Sequence, residues 1–267
     1  MPKPLWIVAQ KSNNNIIGSE LIELRTVPST NNYAAELISQ TKVQNGTVIL
    51  AHEQTAGRGQ REREWFSGSG TDITFSIVIF PDALAVEEQF YLSRAIVLGI
   101  RDLLVGLVGK PVYVKWPNDV YVGDKKICGI LIENEISGNN VAHSIIGVGL
   151  NISFSKSDAD FIHTSIEREM GLVPDRKQLL KDMIAAINKR YQELEAKRFT
   201  RLAHDHAENL YMKDQWTEFS LRGEVVKAKI LDCENDGRLI VELEGGKVVS
   251  EGTGAIRQIL YGTDIPN

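Results

Sequence analysis

Two short and almost entirely apolar runs constrain the fold of this chain more than any other feature. Residues 47–51 read TVILA, and residues 73–80 read ITFSIVIF before Pro81. Short apolar runs that are rich in β-branched residues and bounded by turn signals are typical of fully buried strands. The sequence therefore predicts at least two strands that lie inside a core.

Helical patterns alternate with these strands. A turn and cap cluster over residues 28–32 (PSTNN) precedes a helix that we expect to begin near Tyr33. Residues 87–108 predict a core helix, and apolar residues recur at helical spacing from Asp175 onwards. Residues 121–133 place a Gly-Asp turn between two apolar runs, which predicts a hairpin. This mixture favours an α+β fold.

The pattern changes near Trp216, where short alternating runs replace the long helical segments. The runs are separated by residues 235–237 (NDG) and 245–246 (GG). Asp-Gly and Gly-Gly between alternating runs are typical hairpin turns. The sequence therefore predicts two domains, a larger one over residues 1–215 and a small β-barrel over residues 216–267.

Composition limits the functional classes. The 267 residues include 43% hydrophobic and 24% charged residues, which is ordinary for a globular protein and argues against a mainly disordered chain. The 30 Lys and Arg against 35 Asp and Glu give a net charge of −5. Because nucleic-acid-binding proteins are more often basic, DNA is not an expected partner.

Cysteine usage and hydropathy predict a cytoplasmic protein. Cys128 and Cys233 are far apart in the sequence and form no CxxC pair, as is usual in a reducing compartment. No apolar run approaches the ~18 residues of a membrane-spanning helix. The apolar stretch over residues 5–9 is shorter than the ~7 residues of a signal-peptide core. We therefore expect neither a membrane partner nor a targeting segment.

A loop rich in Gly and Arg offers groups that bind anions. Residues 54–65 (QTAGRGQREREW) combine small residues, which let a backbone approach a ligand, with forked arginine donors. The tryptophan that ends the loop has a flat face suited to stacking on a nucleobase. By itself, such a pattern also fits a solvated, charged surface loop, so it predicts a ligand only together with other segments.

Three further segments carry polar residues at the ends or interruptions of strands. Lys115 leads residues 115–119 (KWPND) at the end of an apolar strand, where its ammonium could neutralise a ligand's anions. Gly129 interrupts residues 125–133 (KKICGILIE), and residues 147–151 (GVGLN) end in an asparagine able to contact a base edge. The alternatives are a lysine that reaches water, a bulged hairpin and a turn asparagine. The residues alone therefore support an α+β protein with an anion-binding cleft.

Taken together and in this order, the segments resemble biotin–protein ligases, also called biotin–[acetyl-CoA carboxylase] ligases. The resemblance spans about residues 25–152. It is carried by Ser29-Thr30-Asn31 and by residues 54–65, 115–119, 126–133 and 147–151. Its most specific part is KWPND followed by KKICGILIE. The resemblance implies a mixed-sheet catalytic domain of the biotin/lipoate ligase type, followed by a small SH3-like β-barrel.

The resemblance also implies an activity. Enzymes of this family activate biotin with ATP and Mg²⁺ to biotinyl-5′-AMP and release pyrophosphate. They then transfer biotin to one lysine of a biotin carboxyl carrier protein. Some members form homodimers. We expect no DNA-binding helix-turn-helix ahead of residue 20, so the chain resembles the enzyme-only class without a DNA partner.

The expected site residues follow from the same resemblance. Lys115, assisted by Arg58, would lie between the biotin carboxylate and the α-phosphate as the catalytic cation. The biotin-binding residues would be Ser29, Thr30, Asn31, Gln54, Gly57, Arg58, Gly59, Lys115 and Gly129. The ATP-binding residues would be Arg61, Arg63, Trp65, Asn118, Lys126 and Asn151. No protein ligand of Mg²⁺ is assigned.

Two other functions stay open at this level. A lipoate–protein ligase shares the fold and the acyl-adenylate chemistry, although its signature loop differs. A biotin-binding sensor with weak turnover is the second, because Glu62 occupies a position where the family usually has glycine. Gln60 likewise replaces a frequent arginine. Glu62 disfavours a positive φ and adds negative charge close to phosphates.

Replacing Glu62 by glycine tests whether this residue weakens closure of the loop over the intermediate. Glu62→Gly should slow the dissociation of biotinyl-AMP, because glycine restores backbone freedom and removes a negative charge near a phosphate. The measurement is the dissociation rate of labelled biotinyl-AMP after dilution. An unchanged rate would rule out a role of Glu62 in retaining the intermediate.

Overall fold

The computed structural model describes residues 16–60, 64–65, 72–153 and 163–260, together with the backbone of residues 6–9. The strands in these residues are β1 (Trp6–Ala9), β2 (Glu20–Val27), β3 (Thr47–Gln54), β4 (Gly57–Arg58), β5 (Glu64–Trp65), β6 (Asp72–Ile79), β7 (Val112–Lys115), β8 (Asp119–Val122), β9 (Lys125–Ser137), β10 (Asn140–Asn151), β11 (Trp216–Leu221), β12 (Glu224–Cys233), β13 (Leu239–Leu243), β14 (Val248–Glu251) and β15 (Ile256–Gln258). The helices are α1 (Thr30–Gln40), α2 (Gln89–Val108), α3 (Ile166–Met170), α4 (Arg176–Glu195) and α5 (Phe199–Glu208), with one 3₁₀ turn at Val86–Glu88.

The larger sheet has eight strands in the order β1-β2-β3-β6-β10-β9-β8-β7. Strands β2 and β3 are parallel, while β6 is antiparallel to both of its neighbours, β3 and β10. The sheet is therefore mixed. This confirms the predicted α+β class and the mixed sheet that the resemblance implied.

Strand β6 runs through the middle of this sheet and is buried at every position. Its apolar residues Phe75, Ile77 and Ile79 pack in the main core with residues of α2 and α4, which cover one face of the sheet. The predicted buried strand is therefore confirmed, because both of its faces are covered. No helix among the described residues is long and apolar enough to span a membrane.

Helix α1 lies on the opposite face. It packs in a second core with residues of β2, β3, β6 and β10. Ser29 is its N-cap, and the Ser29 hydroxyl accepts a hydrogen bond from the main-chain N–H of Asn32 at 3.5 Å. The helix begins at Thr30, slightly earlier than predicted, because the serine rather than an asparagine supplies the cap.

The smaller sheet has five antiparallel strands in the order β14-β13-β12-β11-β15. Its own core contains Phe219, Ile230 and Val241. The predicted turns are present, with positive φ at Gly237 and Gly245. The C-terminal β unit is therefore confirmed. Its closure into an SH3-like barrel and the domain boundary at residue 216 stay predictions, since no strand pairing among the described residues closes the sheet.

Two glycines of α2 differ in what surrounds them. A Cβ on Gly99 would lie 2.6 Å from Ile187 Cα and 3.0 Å from the carbonyl oxygen of Ala186. A Cβ on Gly106 would meet no atom within 4 Å. Gly99 therefore permits the close crossing of α2 over α4 that supports the sheet.

The variants Gly99→Ala and Gly106→Ala should change stability in opposite directions. Gly99→Ala should lower the free energy of unfolding by about 1–3 kcal/mol, because the helices must separate or strain. Gly106→Ala should raise it by up to ~1 kcal/mol, since alanine is the better helix former. Urea denaturation of both variants and the parent measures the difference. A gain in stability for both would show that the crossing adapts to the extra methyl group.

Candidate active site

A patch of bare main chain lies beside α1 on the same face of the large sheet. Gly129 of β9 and Gly149 of β10 are direct cross-strand partners. Gly147 lies two residues before Gly149, so both point to the same face. We call these three residues the glycine floor. The floor lacks side chains, and other groups therefore reach the strand backbone.

Trp65 lies on this floor. A Cβ on Gly149 would stand 2.3 Å from Trp65 Cε2, and a Cβ on Gly129 would stand 2.9 Å from Trp65 Cζ3. Only glycine allows an indole so close to two strands. Trp65 Nε1 is buried and has no hydrogen-bond partner among the described residues. The indole ring rests directly on the floor, and we call the space over the floor, which this ring occupies in the structure, the slot. The stacking of Trp65 on adenine stays a prediction.

The first turn of α1 forms one wall of the slot. Gln54 Oε1 accepts hydrogen bonds from the Thr30 main-chain N–H at 2.8 Å and from Thr30 Oγ1 at 3.1 Å. Ser76 Oγ lies 2.7 Å from Thr30 Oγ1 and 2.6 Å from Asn31 Oδ1. Asn31 also contacts the floor, since a Cβ on Gly147 would lie 2.4 Å from its Oδ1. These contacts fix the orientation of polar groups at the floor, as recognition of a small polar ligand requires.

Glu133 joins this wall to the loop that carries Arg58. Glu133 Oε2 accepts a hydrogen bond from Asn31 Nδ2 at 2.7 Å, and Glu133 Oε1 accepts one from Arg58 Nη2 at 2.7 Å. Arg58 Nη1 also donates to Asn32 Oδ1 at 2.6 Å. Both members of the ion pair are partly exposed, so the pair adds little to stability. Its effect is to orient the guanidinium beside the slot.

Two lysines flank the floor at unequal distances. Lys126 Nζ would lie 3.2 Å from a Cβ on Gly129 and forms an ion pair with Asp119 at 2.8 Å. Lys115 lies two strands away from Gly129, with its Nζ 5.8 Å from the centroid of the Tyr121 ring. In register, Lys115 pairs with Asp119, and Asp119 pairs with Gly129. Lys126 therefore lies next to the floor, and Lys115 lies at the outer end of the same cross-strand row.

The two asparagines predicted to contact a nucleotide hold strand ends next to the floor. Asn118 Nδ2 donates to the carbonyl of Ile130, and the Ile130 N–H donates to the carbonyl of Asn118 at 3.0 Å. Asn151 Nδ2 donates to the carbonyl of Thr164 at 3.0 Å. These bonds fix both side chains, and their contacts with a nucleotide stay predictions.

Cys128 lies beneath the floor rather than in it. Its side chain is fully buried in the main core, on the face covered by the helices. Burial raises the pKa of the Cys128 thiol, so it stays protonated and unreactive at neutral pH. Burial also raises the pKa of Cys233, to about 12. Neither thiol forms a disulfide.

The structure brings most of the predicted site residues to this face. Those in or beside the slot are Ser29, Thr30, Asn31, Gln54, Gly57, Arg58, Trp65, Lys126 and Gly129. Gly59 directly follows β4, and Arg61, Glu62 and Arg63 lie outside the described residues. No group of three or more His, Cys, Asp or Glu in the described ranges could hold a metal ion.

Three polar residues of the site were missed at the sequence level. Ser76 links Thr30 to Asn31, Glu133 links Asn31 to Arg58, and Asp119 pairs with Lys126. Ser76 gave a signal, because a serine interrupts the apolar run of β6. Glu133 lies inside β9 and Asp119 begins β8, and neither position has a specific meaning until the strand register is known.

The floor, the α1 wall and both lysines lie within the segment matched by one known family. The match is to the biotin/lipoate A/B protein ligase family and covers residues 23–151. Residues 23–151 belong to this family. The matched segment extends from β2 to β10 and ends before the C-terminal sheet.

Similar proteins extend the likeness to nearly the whole chain. The chain is 29% identical over 258 residues to the bifunctional ligase/repressor BirA of Bacillus subtilis, covering 94% of this chain and 74% of that protein. It is 27% identical over 241 residues to the biotin–[acetyl-CoA-carboxylase] ligase of Mycobacterium tuberculosis, covering 87% and 88% of the two chains.

A solved structure shares the fold. The biotin protein ligase from Aquifex aeolicus in complex with biotin and ATP superposes with a TM-score of 0.74 at 25% identity. The match covers 90% of this chain and 99% of that chain. It therefore includes the C-terminal sheet as well as the family segment, and the fold is that of biotin protein ligase structures.

Removing the Ser76 hydroxyl tests the polar wall. Ser76→Ala should lower the free energy of unfolding by about 1–3 kcal/mol, because it takes a buried hydrogen-bond partner from Thr30 and Asn31. Ser144→Ala is a matched control, since Ser144 is equally buried and its hydroxyl donates to Asn134 alone within the described part of the chain. Chemical denaturation gives both values. A loss for Ser76→Ala no larger than for Ser144→Ala would contradict the linking role of Ser76.

Proposed function

We propose that this protein is a biotin–protein ligase. It activates biotin with ATP to biotinyl-5′-AMP and then transfers biotin to a specific lysine of a biotin carboxyl carrier protein. The carrier of acetyl-CoA carboxylase, or of a related carboxylase, is the proposed partner. The observation that carries this proposal is the glycine floor with Trp65 above it and Lys126 beside it, inside the family segment.

The first half-reaction joins two anions. A carboxylate oxygen of biotin attacks the α-phosphorus of ATP, a new O–P bond forms, and the bond to pyrophosphate breaks. Both reacting groups are negative, so the reaction needs positive charge fixed where they meet. The site supplies Lys126, Lys115 and Arg58 around one small area of bare main chain.

The two lysines divide this work in the proposal. Lys115, assisted by Arg58, is assigned to the meeting point of carboxylate and α-phosphate, and Lys126 is assigned to the nucleotide phosphates. Lys126 lies nearer to Gly129 than Lys115 does. Because this geometry allows the two assignments to be exchanged, Lys115→Ala and Lys126→Ala are compared in the same carrier assay.

The polar wall suits the head of biotin. Ser29, Thr30, Asn31 and Gln54 present hydrogen-bonding groups whose directions are already fixed by their mutual contacts. Fixed donors and acceptors cost little ordering when a ligand binds. Trp65 is assigned to the adenine ring. Arg61 and Arg63 are assigned to the loop that would shield the intermediate from water.

The second half-reaction transfers biotin to the carrier. The neutral amine of the carrier lysine attacks the acyl carbon of biotinyl-AMP, the C–N bond forms, and the C–O bond to AMP breaks as a proton leaves the nitrogen.

Mg²⁺ is proposed to arrive bound to the phosphates of ATP, as is common for this ion.

Three further properties of the protein stay predictions. They are a cytoplasmic location, the absence of a DNA partner and a possible homodimer. Several relatives are named bifunctional ligase/repressors, so the absence of DNA binding needs its own measurement. A gel-shift assay with biotin and ATP present would provide it.

Intact mass spectrometry of a carrier domain tests the proposed function. Incubation with this protein, biotin and Mg-ATP should add one biotin to the carrier. Lys115→Ala and Lys126→Ala should each slow the reaction by roughly 10²–10³-fold, because each removes a cation from the anionic reaction centre. Lys181→Ala is the matched control, since Lys181 is exposed on α4.

The outcomes separate the competing functions. No gain of mass on a carrier that another ligase can modify would overturn the proposal. A gain with lipoate but not with biotin would assign the chain to the lipoate branch of the family. Formation of biotinyl-AMP without transfer would favour a sensor. Full activity of Lys115→Ala together with loss of activity in Lys126→Ala would remove Lys115 from the reaction centre and assign the catalytic cation to Lys126.

A further inference from the structure

The strand that carries Lys115 is held from outside the family segment. Strand β7 is the last strand of the large sheet and pairs with β8 on one edge only. On its other edge, the Val114 N–H donates to the carbonyl of Asn209 at 2.8 Å, and the Tyr211 N–H donates to the carbonyl of Val114 at 2.8 Å. Residues 209–211 lead into the C-terminal sheet. The residue before Lys115 is therefore fixed by the C-terminal part of the chain.

The residue after Lys115 is fixed in the same direction. Trp116 is 7% exposed and belongs to the core of the C-terminal sheet, together with Phe219 and Ile230. Its Nε1 donates a hydrogen bond to the carbonyl of Gly237 at 2.9 Å. Gly237 lies in the turn between β12 and β13. Lys115 thus stands between two anchors that both belong to the C-terminal part of the chain.

The same turn is clamped by α2. The Arg94 guanidinium donates to the carbonyls of Cys233 at 2.9 Å and Glu234 at 3.0 Å, and the Tyr91 hydroxyl donates to Asn235 Oδ1 at 2.7 Å. Phe90 packs on the turn, since a Cβ on Gly237 would lie 2.7 Å from its ring.

Arg94 makes this clamp stiff. Its side chain is 0% exposed and lies 4.9 Å from the centroids of the Phe90 and Tyr91 rings. Desolvation lowers the pKa of Arg94, which shows how strongly the core disfavours its charge. A buried cation is stable only while it keeps its hydrogen-bond partners, so the carbonyls of the turn cannot move away without a large cost.

We infer that the β12–β13 turn is a positioning element for Lys115, acting through the bond between Gly237 and Trp116 and held in place by Arg94. The inference rests on the proposed function, because it concerns the placement of the proposed catalytic lysine. A displacement of about 1 Å in a catalytic group can cost as much as ~10²-fold in rate. Trp116 and Gly237 act as positioning residues and not as catalytic ones.

The inference predicts a change in kcat without an equal change in biotin affinity. The residues assigned to the biotin head lie on α1 and at the end of β3, and their hydrogen bonds are made to β6 and β9. Moving the β12–β13 turn should therefore leave the KM for biotin within about twofold, while kcat for biotinyl-AMP formation falls by about tenfold. A merely destabilised protein would also show a lower apparent kcat at an unchanged KM, because fewer molecules are active. The rate is therefore expressed per active site titrated with biotin, and the variants are compared at similar melting temperatures.

Two glycines of the C-terminal sheet provide a matched pair of variants. Gly237 and Gly223 have φ of +92° and +91°, so alanine meets the same backbone strain at both positions. The added Cβ would meet the Phe90 ring at Gly237 and nothing within 4 Å at Gly223. Biotinyl-AMP formation by the full-length variants, without a carrier, should fall for Gly237→Ala and stay at the parent rate for Gly223→Ala, at similar melting temperatures.

A second pair covers the case in which Gly237→Ala does not fold. Trp116→Phe removes the indole N–H that binds Gly237, whereas Phe219→Leu opens a space in the same core and keeps the bond between Trp116 and Gly237. Lower kcat in Trp116→Phe alone supports the inference. The inference is overturned if Trp116→Phe and Phe219→Leu both keep the parent kcat. It is also overturned if, within each pair, the two variants lose kcat equally. An inactive parent would instead overturn the proposed function, so the two failures are distinguishable.

Discussion

The site depends on strand backbone that no side chain covers. Gly129, Gly147 and Gly149 let Asn31 and Trp65 lie against two neighbouring strands at distances that a Cβ would forbid. Glycine inside a strand adds no packing and weakens the strand. The alternate residues of β9 and β10 offset this loss, because they point to the other face and are buried in the main core under α2 and α4. One face of the sheet can therefore be bare because the other is fully packed.

The charges around the bare face are paired before any ligand arrives. Lys126 is balanced by Asp119, and Arg58 is balanced by Glu133. Lys126 is less exposed than Arg58, so its pairing with Asp119 offsets more desolvation, while the exposed pair of Arg58 and Glu133 mainly orients the guanidinium. An anionic ligand then competes with a neighbouring carboxylate rather than with water alone.

The family segment and the C-terminal sheet are joined at residues 115–119 (KWPND). Within KWPND, Lys115 and Asp119 face the site, while Trp116 is buried in the core of the other sheet. The sequence predicted this motif as a strand end with a lysine, and it predicted residues 235–237 as a hairpin turn. Both predictions are confirmed. The turn accepts a hydrogen bond from Trp116, which lies 121 positions earlier in the chain. No local sequence pattern predicts a contact over that distance.

The sequence by itself determined the elements and the chemistry-bearing segments. The runs of β3 and β6, the cap cluster over residues 28–32 and the Gly-containing turns follow from side-chain period and backbone preference, which act over a few neighbouring residues. The tertiary structure alone decided the place of Ser76 and Glu133 and which lysine lies next to the floor. Those depend on strand register and on contacts between residues far apart in the chain. A shift of register by one residue would reverse the face of every side chain, and only the packed sheet fixes it.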